Sequence, residues 1–247
     1  MNRFFAKPIG GVIRLSSEDA AHIRSLRLRP AELFIVCDGE GRDYICHLAE
    51  NHSSSGSSEK QNETYAQIVG DKPTSGEPDL SCTVYIALAK GDRLDYAVQK
   101  SVELGARAIV LFQSRRCIAS PGNSAKRTER MQRIALEAAK QCGRGRVPSV
   151  IMAESYKDAI EQASQAELPL FFYESEEELT LREALESRAD AASVSIVTGP
   201  EGGFEEEEAS IARSSGMLTV TLGPRILRCE TAPAAALAAI MFHTGNL

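Results

Sequence analysis

The chain has no tryptophan and no apolar run long enough to span a bilayer, which excludes a helical integral membrane protein. Its first residues, Met1-Asn2-Arg3-Phe4-Phe5-Ala6-Lys7-Pro8, carry charge without the apolar core of a secretory leader. The expectation is a soluble cytoplasmic protein. Cysteine pairs are also missing. The six cysteines stand at 37, 46, 82, 117, 142 and 229, none in a CxxC arrangement, and the four histidines do not gather near them. A zinc site, or any other bound metal, is therefore not expected, and disulfides are not expected in a cytosolic chain. The thiols read as buried side chains, with Cys229 set apart because it lies in a candidate ligand loop. There is no Gly-Lys-Ser/Thr after a glycine loop and no GxGxxG, so nucleoside-triphosphate and dinucleotide sites lack their key residues. No internal repeat is visible.

What is present suits one large domain or a large domain plus a small one: 247 residues, 43% hydrophobic and 25% charged. The net charge of −6 is unevenly spread. Between Arg115 and Arg146 the chain carries Arg115, Arg116, Lys126, Arg127, Arg130, Arg133, Lys140, Arg144 and Arg146, opposed only by Glu129 and Glu137. A second basic set comprises Arg3, Lys7, Arg14, Arg24, Arg27 and Arg29. Local field, not net charge, decides whether a polyanion binds. The RNA-binding candidates are Arg3, Arg24, Arg27, Arg115, Arg116, Lys126, Arg144 and Arg146; a solvated helix face is the competing reading.

The first part of the chain reads as short strands (3–6, 12–15, 33–37, 44–48 and 64–69) around one helix. Ser16 and Asp19 form its capping box. Residues 51–62 are serine-rich and read as a loop tip. Residues 1–70 are expected to form a small β-barrel, and Asp71 to Asp79, with two prolines and a glycine, a linker. From residue 80 to 247 strands alternate with helices: strands at 83–89, 108–112, 168–173, 193–198 and 217–222, helices at 92–104, 124–142, 204–214 and 230–242. This is the pattern of a parallel α/β sheet. Glu176, Glu177 and Glu178, like Glu205 to Glu208, read as first-turn acids that suit a helix dipole.

Two loops follow β-branched runs in that second region: Thr198-Gly199-Pro200-Glu201-Gly202-Gly203-Phe204 and Leu222-Gly223-Pro224-Arg225-Ile226-Leu227-Arg228-Cys229-Glu230-Thr231-Ala232. Open α/β sheets bind ligands at the carboxyl ends of their strands, and glycine there admits close backbone approach. Glu201 disfavours a phosphate and favours a ligand with positive charge. Phe172-Tyr173-Glu174, at another strand end, offers a third wall.

These loops resemble the signature of the 16S rRNA N3-uridine methyltransferase family (RsmE), in the SPOUT class of S-adenosylmethionine-dependent enzymes. Further segments share the resemblance: Arg3-Phe4-Phe5, His22 with Leu26-Arg27-Leu28, Ala89 to Asp95, Gln99 to Gly105, and Arg133 to Arg144 continuing through Arg146-Val147-Pro148. The resemblance implies a PUA-like RNA-binding barrel, then a SPOUT-type α/β domain with a C-terminal trefoil knot. It implies a homodimer with active sites at the interface, S-adenosyl-L-methionine as cofactor, and methylation of one uridine N3 in 16S rRNA of the small ribosomal subunit. The cofactor would meet Phe172, Tyr173, Thr198, Gly199, Pro200, Glu201, Gly202, Gly203, Leu222, Gly223, Ile226, Leu227, Arg228, Glu230 and Thr231. Leu222, Ile226 and Leu227 would pack on its adenine.

Loss of the N3 proton spreads charge onto the uracil oxygens, which a guanidinium stabilises. Arg228 is the catalytic candidate; alternatively it forms an ion pair with Glu230 or Glu201 that shapes the loop. The chain departs from the family pattern at Ala31-Glu32, at Cys229 (usually threonine) and at Pro233 (usually alanine). Cys229 could make the pocket sensitive to alkylation. Two other readings stay open: a SPOUT methyltransferase with another rRNA or a tRNA target, and an RNA-binding assembly factor without catalysis.

Overall fold

The computed structural model describes residues 2–29, 31–49, 63–120 and 122–247. The serine-rich segment at 51–62 lies outside them. The chain divides into two units, residues 1–77 with 139–147, and residues 78–138 with 148–247.

The first unit contains β1 (Arg3–Phe5), β2 (Pro8–Ile9), β3 (Val12–Arg14), α1 (Ser17–Ser25), β4 (Phe34–Cys37), β5 (Arg42–Leu48) and β6 (Tyr65–Pro73). The six strands follow the order β1-β4-β5-β6-β3-β2. Only the β1–β4 pair is parallel. The sheet curls around Phe4, Ile13, Ile23, Phe34 and Val36, with the Phe4 and Phe34 rings edge to face at 5.6 Å. It is a half-barrel, because β1 and β2 end the order without pairing each other. Ser16 caps α1 as its sequence suggests, its hydroxyl oxygen accepting from the Asp19 N–H at 3.0 Å.

Strand β6 runs further than expected and takes the first three residues assigned to the linker. Its extension places Asp43 opposite Lys72 and Tyr44 opposite Asp71, and Asp71 pairs with Arg42. Opposite charges across strands support a polar extension that hydrophobic patterning does not reveal.

Two arginines expected to meet RNA are internal to this unit. Arg3 donates twice to Asp43, at 2.6 and 2.7 Å, and both side chains are almost fully buried. Arg144 is 4% exposed and donates to Glu77 at 2.8 Å. The same carboxylate accepts from the Gly145 N–H at 2.9 Å and the Arg146 N–H at 3.2 Å. Lys140 pairs with Asp19 at 3.0 Å. A guanidinium enclosed by its own carboxylate has no face to offer a phosphate, so Arg3 and Arg144 are corrected from RNA contacts to internal ties.

The second unit contains β7 (Ser81–Ala87), α2 (Asp92–Glu103), β8 (Ala108–Phe112), α3 (Ser124–Cys142), β9 (Ser149–Met152), α4 (Tyr156–Ala163), β10 (Leu168–Phe172), α5 (Leu181–Ser187), β11 (Ser193–Thr198), α6 (Glu206–Ser214), β12 (Leu218–Val220) and α7 (Thr231–His243). The last turn of α3 groups with the first unit. The strand order is β12-β10-β11-β7-β8-β9 and every pair is parallel. Every residue of β10, Leu-Pro-Leu-Phe-Phe, is buried, as a parallel strand covered on both faces requires. Helix α2 buries Leu94, Ala97, Val98, Ser101 and Val102, the face its periodicity marks.

Elements β9 and α4 are not foreseen in the sequence, and the helix expected to begin with the acids at 176–178 starts later. Helix α5 begins at Leu181 behind a Thr180–Glu183 capping box, so Glu176, Glu177 and Glu178 precede it. They are not its first turn. Glu176 instead accepts from the Thr219 hydroxyl at 2.7 Å and the Glu178 N–H at 3.0 Å, which ties the chain after β10 to β12.

Burial raises the pKa of Asp43, and the Arg3 guanidinium with the Thr74 hydroxyl more than reverses this, leaving the carboxyl below its ordinary value. A lowered native pKa stabilises the fold above the unfolded-chain value of about 4 and loses that contribution as pH falls through the native one. Asp43→Asn should destabilise the first unit by about 3 kcal/mol at neutral pH and flatten its acid limb. Denaturant melts at pH 3 and pH 7 check this; an unchanged difference between the two would refute it.

Candidate functional site

A cavity of about 1010 Å³ opens at the carboxyl ends of β10, β11 and β12. Strand order reverses beside it: β7, β8 and β9 step outward on one side, and β11, β10 and β12 lie on the other. Such a reversal leaves a crevice at the strand ends.

The loop after β11 is fixed at both ends. Thr198 is buried, and its hydroxyl donates to the Tyr85 carbonyl at 3.4 Å. Phe204 is fully buried, its ring centroid 4.4 Å from that of Phe171. Between these anchors space is tight at Gly199, and glycine is required at Gly203. A Cβ on Gly199 would stand 3.1 Å from the Phe204 ring. Gly203 has φ +69°, and a Cβ there would overlap the Glu174 carboxylate, which accepts from the Phe204 N–H at 3.1 Å.

Glu201 bridges the reversal. Its Oε1 accepts from the Lys90 N–H at 3.0 Å and from Arg93 at 2.8 Å, joining the loop after β11 to the loop after β7. Burial raises its pKa, and these donors outweigh that effect and hold it below the usual carboxylate value. Its Oε2 is buried and has no hydrogen-bond partner among the described residues. Arg115 and Arg116, expected to meet RNA, face the same segment. The Arg115 N–H donates to Glu208 at 3.0 Å and its side chain to Glu205 at 2.8 Å, while Arg116 donates to the Gly202 carbonyl at 3.2 Å. These two arginines secure the loop and the start of α6, with about half of each side chain left exposed.

The loop after β12 closes the opposite wall. Gly223 has φ +100° and its N–H donates to the Thr221 hydroxyl at 3.1 Å. Leu222, Gly223, Ile226, Leu227, Arg228 and Glu230 all line the cavity, together with Phe172 and Tyr173 from β10 and its end, and Thr198 through Gly203. Thr231 does not: it is the first residue of α7, and its N–H donates to the Arg228 carbonyl at 2.8 Å.

The chain from 76 to 241 matches the family described as an RNA methyltransferase domain. It is 32% identical to the ribosomal RNA small subunit methyltransferase E of Bacillus subtilis, over 93% of this chain and 90% of that protein. The chain belongs to the ribosomal RNA small subunit methyltransferase E family. The family member from Neisseria gonorrhoeae, solved bound to S-adenosyl methionine, superimposes with a TM-score of 0.84 at 32% identity, covering 98% of this chain and 97% of that one. A Legionella pneumophila methyltransferase solved with the same cofactor has a TM-score of 0.84 at 26% identity, covering 97% and 96%.

Three arginines line the cavity: Arg93, Arg225 and Arg228. Arg93 is paired with Glu201. The Arg228 side chain is exposed and makes no ion pair or hydrogen bond among the described residues. No ion pair of Arg228 with Glu201 or Glu230 is present among the described residues; Arg93 pairs with Glu201, and Glu230 accepts from the Cys229 thiol at 3.2 Å. Arg93 is a wall residue that the sequence does not reveal. Its partner is more than a hundred residues away, and nothing in the local pattern around Asp92 signals the pairing.

Exposed Arg24, Arg27 and Lys126 and half-buried Arg146 are the remaining basic candidates. Cys229 is 8% exposed. Burial, then the Glu230 and Glu201 carboxylates, pushes its thiol up to about 12. Burial and the raised thiol pKa both oppose alkylation there, since the thiolate is the reactive form. Iodoacetamide at pH 8 should modify the exposed Cys142 while leaving Cys229 intact, as read by peptide mass mapping; comparable rates at the two would refute the assignment.

Proposed function

We propose that this protein transfers a methyl group from S-adenosyl-L-methionine to N3 of one uridine in 16S rRNA of the small ribosomal subunit. The observation that carries the reading is the buried, unpartnered Glu201 Oε2 in a glycine-walled cavity at the carboxyl ends of the strands. A carboxylate oxygen with an unfilled lone pair suits a ligand that brings an ammonium and ribose hydroxyls. Bound there, the cofactor supplies an electrophilic methyl carbon on a sulfonium.

The chain's own residues position and stabilise. Glu201 presents Oε2 to a donor while Lys90 and Arg93 keep its other oxygen fixed. Backbone groups of Gly199, Gly202 and Gly203 and of Leu222 and Gly223 line the remaining walls, and Leu222 and Leu227 give a planar base an apolar surface. Methyl transfer needs the nucleophile in line with the carbon, so fixed walls supply much of the acceleration. As the uracil N3 proton leaves, negative charge spreads to the ring oxygens, and the uncommitted Arg228 guanidinium is placed to stabilise it.

The RNA contacts in this reading are Arg24, Arg27, Lys126 and Arg146, with the half-barrel unit as the RNA-binding domain and residues 78–138 with 148–247 as the catalytic one. No described helix is long and apolar enough to cross a membrane; the cytoplasm, where small subunits are assembled, is the proposed location. The trefoil knot remains part of the proposal, as does a homodimer: Phe242 on α7 is 75% exposed and Tyr96 on α2 is 48% exposed, apolar surface that a second copy would cover. Sedimentation should give twice the mass of the 26.8 kDa chain, and a monomer at micromolar concentration would refute the dimer.

The deciding experiment is mass mapping of methyluridine in small-subunit rRNA from cells lacking the protein and cells with it restored. Loss and return of one N3-methyluridine is expected. A changed tRNA or a different rRNA site would move the target, and no change despite cofactor binding would favour an assembly factor. Arg228→Ala should lower turnover at least about 100-fold with cofactor affinity held within a few-fold by calorimetry; equal loss of both would return Arg228 to a loop-shaping role. Gly203→Ala should lose cofactor affinity by more than tenfold, because strained φ alone costs about 1–2 kcal/mol before the Glu174 overlap is relieved.

A further inference from the structure

A second cavity, of about 420 Å³, is lined by the Lys90–Gly91 turn, whose Lys90 N–H donates to Glu201 in the wall of the first. Consecutive residues at the start of α2 serve the two in turn. The Lys90 N–H holds Glu201 and Arg93 lines the first cavity, whereas Lys90, Asp92 and Leu94 line the second. Arg127 and Arg130 of α3, three residues apart and so on one helix face, complete its charged wall.

The charges there do not close among themselves. Arg130 is taken by Asp95, to which both its terminal nitrogens donate. Arg127 is not taken: its Nη1 is buried with no hydrogen-bond partner among the described residues. A buried charged donor left unpaired is costly, about 1–3 kcal/mol or more, so a site that retains one fits an external acceptor. Helix α2 starts behind Gly91, at φ 65°, with no side-chain cap, and its first N–H groups are therefore unclaimed by a capping side chain. Lys90 and Arg127 against Asp92 leave one positive charge. That matches the single negative charge of a phosphodiester better than the double charge of a monoester. Ile118, 69% exposed, adds an apolar surface at the same cavity.

We propose that this cavity seats one phosphodiester of the RNA substrate close to the nucleotide being methylated, with Arg127 as its principal ligand. The inference rests on the methyltransferase reading above and adds a site that orients the strand through the same turn that holds Glu201. A backbone contact of this kind positions RNA and carries no sequence information.

The test uses the full-length protein, Arg127→Gln and Arg127→Lys, and small subunits purified from cells lacking the enzyme. Binding is measured across a salt series, cofactor affinity by calorimetry and stability by thermal melting. Arg127→Gln should weaken subunit binding about tenfold and reduce the slope of log K against log salt by about one. Cofactor affinity should be unchanged, and the melting temperature unchanged or higher because an unpaired buried charge is gone. Arg127→Lys should keep most of the slope. Wild-type affinity and slope in Arg127→Gln would overturn the site while leaving the methyltransferase reading intact, as would an equal fall in melting temperature for both variants, which would make Arg127 a packing residue. A wild-type protein that binds cofactor but neither binds nor methylates small subunits would overturn the functional reading and this site together.

Discussion

The site depends on one carboxylate. Where strand order reverses between β7 and β11, the sheet supplies a crevice but nothing in the backbone ladder fixes the two emerging loops to each other. Glu201 does so by accepting from Lys90 and Arg93 with one oxygen. The other oxygen is buried and has no hydrogen-bond partner among the described residues. Phe204 then anchors the far end of the loop among Phe171, Phe112 and Tyr156. A glycine-rich segment, intrinsically the least ordered kind of backbone, thus becomes a rigid wall because each end is tied to the core of the sheet.

Much of this was legible in the sequence, for reasons that can be stated residue by residue. Buried parallel strands such as β10 and β11 announce themselves as continuous apolar runs. Helix α2 shows its buried face through spacing alone. The glycines at 199, 202, 203 and 223 mark places where backbone must come close or turn left-handed, and at 203 the structure supplies both the left-handed φ and the neighbouring atoms that demand it. What stayed hidden was set by distant partners. Strand β6 is prolonged by charges on β5. The acids at 176–178 have the pattern of a helix start, since an isolated cluster of glutamates does not reveal that Thr219 claims one of them. Short elements such as β9 and α4 carry too few residues for a period to emerge.

Basic residues were the least legible of all. A sequence counts arginines without showing which are already answered. Arg3 and Arg144 are enclosed by Asp43 and Glu77, and Arg115 and Arg116 brace the loop after β11. Arg127, unremarkable in its run of neighbours, is the one whose buried nitrogen has no counterpart among the described residues. Arg228, suspected of a structural pair, has none there either. Charge run and charge function separate only when each guanidinium has been matched to its carboxylate.

The first unit is discontinuous in sequence, and this bears on how the protein is made. Its half-barrel strands are complete by Pro73, yet Asp19 and Glu77 find their cations at Lys140 and Arg144. A chain emerging from the ribosome holds those carboxylates unanswered until residue 147 is out. By then β7, α2 and β8 have already been synthesised. The N-terminal unit therefore cannot close on its first 77 residues alone; its last ion pairs wait for a segment that is made only after part of the second unit.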